Sequence, residues 1–262
     1  MAGSFQPISH LLKIARHILW SAANSLASIF FPTTCRLCQN VVEDISLGVV
    51  CRPCWELVVP MEPPWCSRCG YGFPSKAVDP EQALCGSCRR HLYWFDFARA
   101  AGPFREPLKE IIHQLKYRSH PSLARPLARR LAELYQLHFA HIRAELVIAV
   151  PLHRSRERER GFNQAFELAR HFAGLVGVPV ERGCLLRVRP TKVQAGLSRR
   201  ERRLNLKGAF EVKRVAGIKG RNVVLVDDVF TTGATLNECA RILKQGGAQS
   251  VNGLTVARVI KE

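Results

Sequence analysis

A chain of 262 residues with 47% hydrophobic side chains has enough apolar material for one large or two ordinary cored domains, which excludes a disordered protein. Its formal charge of +18 and pI near 10.1 point to anionic partners, either nucleic acid or phosphorylated metabolites.

The first 34 residues hold a mostly apolar stretch, Ile18 to Phe31, behind Lys13, Arg16 and His17, which has the outline of a secretion signal. Its apolar positions, among them Ile8, Leu11, Leu12, Ala15, Ile18 and Leu19, instead recur at the three- and four-residue steps of an amphipathic helix. The run is also too short to cross a membrane. The expectation for residues 1–34 is therefore an amphipathic helical segment packed on the neighbouring domain, with a membrane-surface placement as the alternative and no transmembrane segment.

Four CxxC pairs come next: Cys35/Cys38, Cys51/Cys54, Cys66/Cys69 and Cys85/Cys88, separated by 12, 11 and 15 residues. Two thiolates on one tight knuckle supply half of a tetrahedral zinc site and a second knuckle closes it, so eight cysteines make two four-cysteine sites in a double zinc ribbon over 35–90. Pairing in sequence order is expected, although the spacing leaves an interleaved pairing open. Disulfides are the competing use of these cysteines, but CxxC suits a bridge within the pair poorly. So small a segment, with only short β-like pieces such as Leu47 to Val50, needs the metal to fold, and the ribbon is expected to lose its structure on chelation while the rest of the chain stays folded. Eight thiolates would remove eight charges and two Zn²⁺ restore four, leaving a chain still basic at +14. Cys239 falls in the apolar spacing of Leu236, Ala240 and Leu243 and reads as core, while Cys184 stands alone.

From residue 91 to 262 helical and strand patterns alternate, which predicts an α/β domain with a parallel sheet. Strands are expected at 92–98 and 100–104. A helix opened by Pro107 and closed by Lys116, Tyr117 and Arg118 comes after them, then a second from Ser122 to His138 and a buried strand from Leu146 to Val150. After that strand, Arg154, Arg156, Arg158 and Arg160 occupy every second position, a pattern that suggests a loop able to bind polyanions, with Glu157 and Glu159 as alternative internal partners. Arg187 to Asn205 is long, basic and glycine-containing; it suits a lid over an anionic ligand, and a plain basic loop fits equally.

The most informative stretch runs from Val223 to Thr235. Val223, Val224, Leu225 and Val226 form a strand buried on both faces, which is expected to stop at Asp227 and Asp228. Thr231, Thr232, Gly233, Ala234 and Thr235 then make a turn into a helix, where converging backbone N–H groups and threonine hydroxyls can cradle a phosphate. Two carboxylates beside such a cradle suit the vicinal hydroxyls of a ribose, or a Mg²⁺ ion. A Walker A loop is excluded, because Gly233 is followed by Ala234 with no lysine nearby.

Val-Asp-Asp-Val-Phe-Thr-Thr-Gly-Ala-Thr resembles the phosphoribosyl pyrophosphate (PRPP) loop of the type I phosphoribosyltransferases. The resemblance implies that Asp227 and Asp228 hold the ribose hydroxyls, that Thr231 through Thr235 bind the 5-phosphate, and that Leu152, His153 and Arg154 face the pyrophosphate. Purine-salvage members carry a basic aspartate where this chain has Thr231, so no residue of the loop is available to deprotonate a purine. The CxxC array, Leu115-Lys116-Tyr117, Pro151-Leu152-His153, Arg160-Gly161-Phe162-Asn163-Gln164 and Thr191-Lys192-Val193-Gln194 together resemble the ComF family, competence-associated proteins with a double zinc ribbon ahead of a phosphoribosyltransferase-like domain. That resemblance implies a cytoplasmic protein with a role linked to DNA uptake, its machinery or the handling of incoming single strands, and supplies no substrate of its own; zinc is expected from the cysteine spacing, and Mg²⁺ with PRPP from the loop at 227–235. The alternative is an adaptor for single-stranded DNA without transferase turnover, using its arginines and the aromatics Trp55, Trp65, Tyr71 and Phe73.

Overall fold

The computed structural model describes residues 33–73, 83–117, 120–139, 141–191 and 199–260. The expected N-terminal amphipathic helix lies outside the described residues, as does the stretch 192–198 of the expected lid.

The cysteine-rich part repeats one small module. In each copy the first CxxC is a knuckle closed by an antiparallel bridge, Thr34 to Val41 and Trp65 to Gly72. The residue after its second cysteine turns through positive φ, Gln39 at 65° and Gly70 at 68°. The second CxxC of each copy opens a short helix, α1 (Arg52–Glu56) or α2 (Gly86–Arg89), with Cys51 or Cys85 at the N-cap. The β-like piece expected at 47–50 is not a strand: a 3₁₀ turn, Ile45–Leu47, capped by Asp44 accepting from the Ser46 N–H at 2.8 Å, ends at its first residue and an irregular stretch follows.

A single strand, β1 (Phe97–Pro103), replaces the two expected there. The chain continues through α3 (Leu108–Tyr117), α4 (Ala124–His138), β2 (Leu146–Ala149), α5 (Arg154–Arg160), α6 (Gln164–Val176) and β3 (Val180–Glu181). A two-stranded antiparallel hairpin, β4 (Leu185–Arg187) with β5 (Phe210–Val212), brackets α7 (Arg199–Leu206), and β6 (Asn222–Phe230), α8 (Ala234–Gln245) and β7 (Ser250–Arg258) complete the domain. The alternating arginines thus form a helix, α5, rather than a loop. Arginine and glutamate are good helix formers, His153 caps the start by accepting from the Ser155 N–H, and Gly161 at φ 85° ends it. Four-residue spacing then pairs Arg156 with Arg160 on one side and Arg154 with Arg158 on another.

The main sheet has five parallel strands in the order β1-β7-β6-β2-β3. From β2 the chain moves outward to β3, whereas from β6 it moves the opposite way to β7. Right-handed crossovers in opposite directions put α6 and α8 on opposite faces and leave a crevice where the chain directions diverge, between the carboxyl ends of β2 and β6. Both faces being covered explains why Val223 through Val226 are fully buried.

Strand β6 does not stop at the carboxylates. It stays paired with β7 through Asp227 opposite Thr255 and Phe230 opposite Arg258, while its other neighbour, β2, ends at Ala149 opposite Val226. Asp227 and Asp228 therefore lie on a strand held on one edge and open on the other.

Candidate functional site: a carboxylate cleft and two thiolate clusters

Beyond the end of β2 the open edge of β6 faces a cleft of about 280 Å³. Asp227, Asp228, Thr231 and Thr235 line it from the β6 side and Pro151 and Leu152 from the β2 side, with Lys116, Arg156, Arg160 and Arg187 as its cations. Both carboxylates are buried, and Asp227 Oδ1 accepts from the Asp228 N–H at 2.9 Å. Burial first, and the Asp228 charge second, push Asp227 up to about 8. Asp228 Oδ2 accepts from Lys116 Nζ at 2.8 Å and from Gln164 Nε2 at 2.8 Å, and Arg160 holds the Oε1 of that glutamine. The Arg160 guanidinium also lies 5.1 Å from the centre of the Tyr117 ring. Lys116 and Gln164, conspicuous in the sequence only as pieces of motifs, thus meet on one carboxylate, with Arg160 behind the glutamine and Tyr117 against Arg160. No spacing rule links α3 to α6, so their common target is not readable from the chain.

The turn after β6 brings Thr231 and Thr235 to the cleft, while Thr232 does not line it and Ala234 is buried. Gly233 is the N-cap of α8 at φ 76° and has no side chain with which to cap it. Two polar groups here are buried without a hydrogen-bond partner among the described residues, Thr232 Oγ1 in the turn and Nε of Arg187 at the cleft. Of the three residues expected toward pyrophosphate, Leu152 lines this cleft and the adjoining hollow of about 420 Å³, whereas His153 and Arg154 line the hollow and not the cleft.

The eight cysteines gather into two clusters in sequence order, Cys35/Cys38/Cys51/Cys54 and Cys66/Cys69/Cys85/Cys88, each with its sulfurs within 4.8 Å of one another. Tetrahedral coordination with Zn–S near 2.3 Å sets sulfurs about 3.8 Å apart. The separations Cys38 to Cys51 at 3.5 Å, Cys35 to Cys54 at 3.9 Å and Cys69 to Cys85 at 3.6 Å fit that geometry. The knuckles also aim backbone N–H groups at sulfur, Cys51 to Cys35 Sγ at 3.4 Å and Cys85 to Cys66 Sγ at 3.3 Å. His91 is not part of either cluster. Trp55 is buried, donating its indole N–H to Leu47 O at 3.0 Å, which makes it ribbon core. Cys184 and Cys239 are buried, burial pushing the Cys184 thiol up to about 11.

Comparison with known proteins agrees with both halves. Residues 26–89 match the double zinc ribbon domain and residues 159–261 the phosphoribosyl transferase domain. The chain is 31% identical over 234 residues to Competence protein F of Haemophilus influenzae, covering 87% of this chain and 98% of that protein. The chain belongs to the ComF family. Other relatives of this ComF-family chain are the DNA utilization protein YhgH of Salmonella typhi, 31% identical over 236 residues (87% of this chain, 98% of that one), and Competence protein ComFC of Bacillus subtilis, 27% identical over 161 residues (61% and 63%). The ComF architecture, a double zinc ribbon on a parallel phosphoribosyltransferase-like sheet, makes the two cysteine clusters four-thiolate zinc sites. No described helix is long and apolar enough to cross a membrane.

Proposed function

We propose that this protein binds Mg²⁺-PRPP, or a closely related ribose phosphate, in the cleft between β2 and β6. Asp227 and Asp228 take the ribose hydroxyls, the turn of Thr231, Thr232, Gly233, Ala234 and Thr235 takes the 5-phosphate, and Leu152, His153 and Arg154 lie toward the pyrophosphate. The observation that carries this reading is the pair of buried carboxylates on the open edge of β6, followed within a few residues by the N-terminus of a helix whose N-cap is a glycine. The partnerless Thr232 hydroxyl and Arg187 Nε support an anion there.

A divalent cation fits the donors present. Asp227, raised by burial and by Asp228, gains most from a positive neighbour, and Asp228 has Oδ1 left among the described residues while Lys116 and Gln164 hold Oδ2. When bound, Mg²⁺ would neutralise phosphate oxygens. The chain's own residues fix the carboxylate orientation and set Arg156, Arg160 and Arg187 around the ligand. Those cations favour departure of pyrophosphate, which leaves positive charge on the ribose ring. We connect the protein to DNA uptake or use, in keeping with the names of its relatives, and to the cytoplasm, where thiolate zinc sites stay reduced.

Titration calorimetry with PRPP and Mg²⁺ on the wild type and on the Asp227→Asn/Asp228→Asn protein tests the site. A hydrogen bond to a charged acceptor is worth roughly 1.5–3 kcal/mol, so affinity is expected to fall at least about tenfold with the fold retained. Equal affinities would refute the site. Exposed Arg154 and Arg158, which have no ion-pair partner among the described residues, favour a second reading as a single-strand adaptor. Failure of the wild type itself to bind PRPP would move the assignment there.

A further inference from the structure

Two short chains of contacts join the second zinc knuckle to the turn after β6. In the first, the guanidinium of Arg68, between Cys66 and Cys69, donates to Tyr93 O and Phe95 O, each at 2.9 Å. The Tyr93 ring stacks on Phe95 with centroids 4.6 Å apart, and its hydroxyl donates to Thr232 O at 3.1 Å. In the second, Arg258 at the end of β7 donates to Cys69 O at 2.8 Å, comes within 3.8 Å of Cys69 Sγ, and lies 3.9 Å over the ring of Phe230, the last residue of β6. Phe230 and Tyr93 together fill the space that a Cβ on Gly233 would need.

Charge gives these contacts a direction. Arg99 and Arg258 are buried, at 8% and 5% exposure, and neither is paired with a carboxylate among the described residues. Arg99 donates to Ser67 O at 2.9 Å and to Cys66 O at 3.5 Å. Four thiolates around Zn²⁺ carry a net charge of about −2, which two guanidinium groups balance. Emptying the site and protonating its sulfurs would leave both cations buried and uncompensated. The first cluster has no such link to the turn among the described residues. Arg130 of α4 anchors that module to the sheet domain, donating to Trp55 O at 2.8 Å and Val58 O at 3.2 Å.

We propose that zinc bound at Cys66, Cys69, Cys85 and Cys88, and not zinc at the first cluster, holds the turn 231–235 in its ligand-ready form, with Arg68, Tyr93 and Arg258 as positioning residues. The consequence for a ribose phosphate rests on the reading above, but the arrangement itself does not. The two can therefore be tested apart, by hydrogen–deuterium exchange on the full-length zinc-loaded protein without ligand. The informative amides are Asn237, which donates to Gly233 O at 2.8 Å, and Val259, which donates to Phe230 O at 2.9 Å.

Tyr93→Phe keeps the ring and removes the hydrogen bond to Thr232 O, so exchange over 230–238 and at Val259 is expected to rise about two- to tenfold with zinc content unchanged. Cys88→Ser is expected to raise it further, and Cys38→Ser to leave it as in the wild type. Should Cys88→Ser fail to fold, Tyr93→Phe and Arg258→Met decide alone. Unchanged exchange in Tyr93→Phe and Arg258→Met, or an equal rise in Cys38→Ser and Cys88→Ser, would overturn the proposal. Faster exchange in Tyr93→Phe from a protein that never binds PRPP would uphold it and refute only the ribose reading.

Discussion

Asp227 is where the chemistry of single residues is most exposed to test. With its pKa near 8, it holds a proton at neutral pH in the free protein and must lose it to accept a cation or to serve as a charged acceptor. Affinity for Mg²⁺-PRPP should then climb by up to about tenfold per pH unit below 8 and level off above. Calorimetry at pH 7 in two buffers of different ionisation enthalpy would count the proton released, close to one for the wild type and none for Asp227→Asn. The same count in both proteins would show that Asp227 binds as the neutral acid. The raised pKa also works against the fold. An unfolded chain loses this proton above about pH 4 and the folded one keeps it until about 8, so this group's contribution to stability is full in acid and is lost as pH rises through 8. Lys116 offsets part of that cost by pairing with Asp228, and it comes from a helix more than a hundred residues away in the chain.

Among the elements, those whose sequence reports burial are readable and those set by tertiary pairing are not. The continuous apolar runs at 146–150 and 223–226 are strands β2 and β6, and the Gly233 turn opens α8 as its residues require. The end of β6 is hidden because carboxylates look like strand terminators. It is pairing with β7, invisible locally, that carries the strand on to Phe230. The arginine helix α5 resembles a loop in sequence because alternation of charge hides the caps, His153 and Gly161, that define it. At the site, the residue types in the β6 turn are legible, whereas the supporting contacts from Lys116, Gln164, Tyr93 and Arg258 come from other elements and are not. Gly233 offers a check at this scale. Its φ of 76° disfavours a side chain, and a Cβ would stand 2.8 Å from Phe230 Cε1 and 3.1 Å from Tyr93 Cε1. Gly233→Ala should therefore cost about 2 kcal/mol or more in denaturant unfolding. Wild-type stability would mean that the turn relaxes around the methyl group and is not held by its aromatic neighbours.

At the scale of the whole molecule, the sequence suggests a metal domain that can unfold by itself, and the contacts argue otherwise for its second half. The Ala98 N–H of β1 donates to Arg68 O at 2.8 Å, and Arg99 and Arg258 reach from β1 and β7 into the knuckle at Cys66 to Cys69. The two zinc sites also differ in access. Cys38 of the first is exposed, while all four cysteines of the second are buried. Purified protein should hold two zinc ions, and a chelator should draw them out in two phases, the ion bound by Cys38 leaving first because water and chelator reach that sulfur without any opening of the fold. Circular dichroism and thermal melts recorded between the phases should find the sheet domain nearly unchanged after the first ion is lost. After the second, its melting point should fall, since two buried guanidinium groups then lack their anion. Release of both ions in one step, or a sheet domain that melts at the same temperature with both sites empty, would show that the second ribbon is an appendage rather than part of the sheet's support.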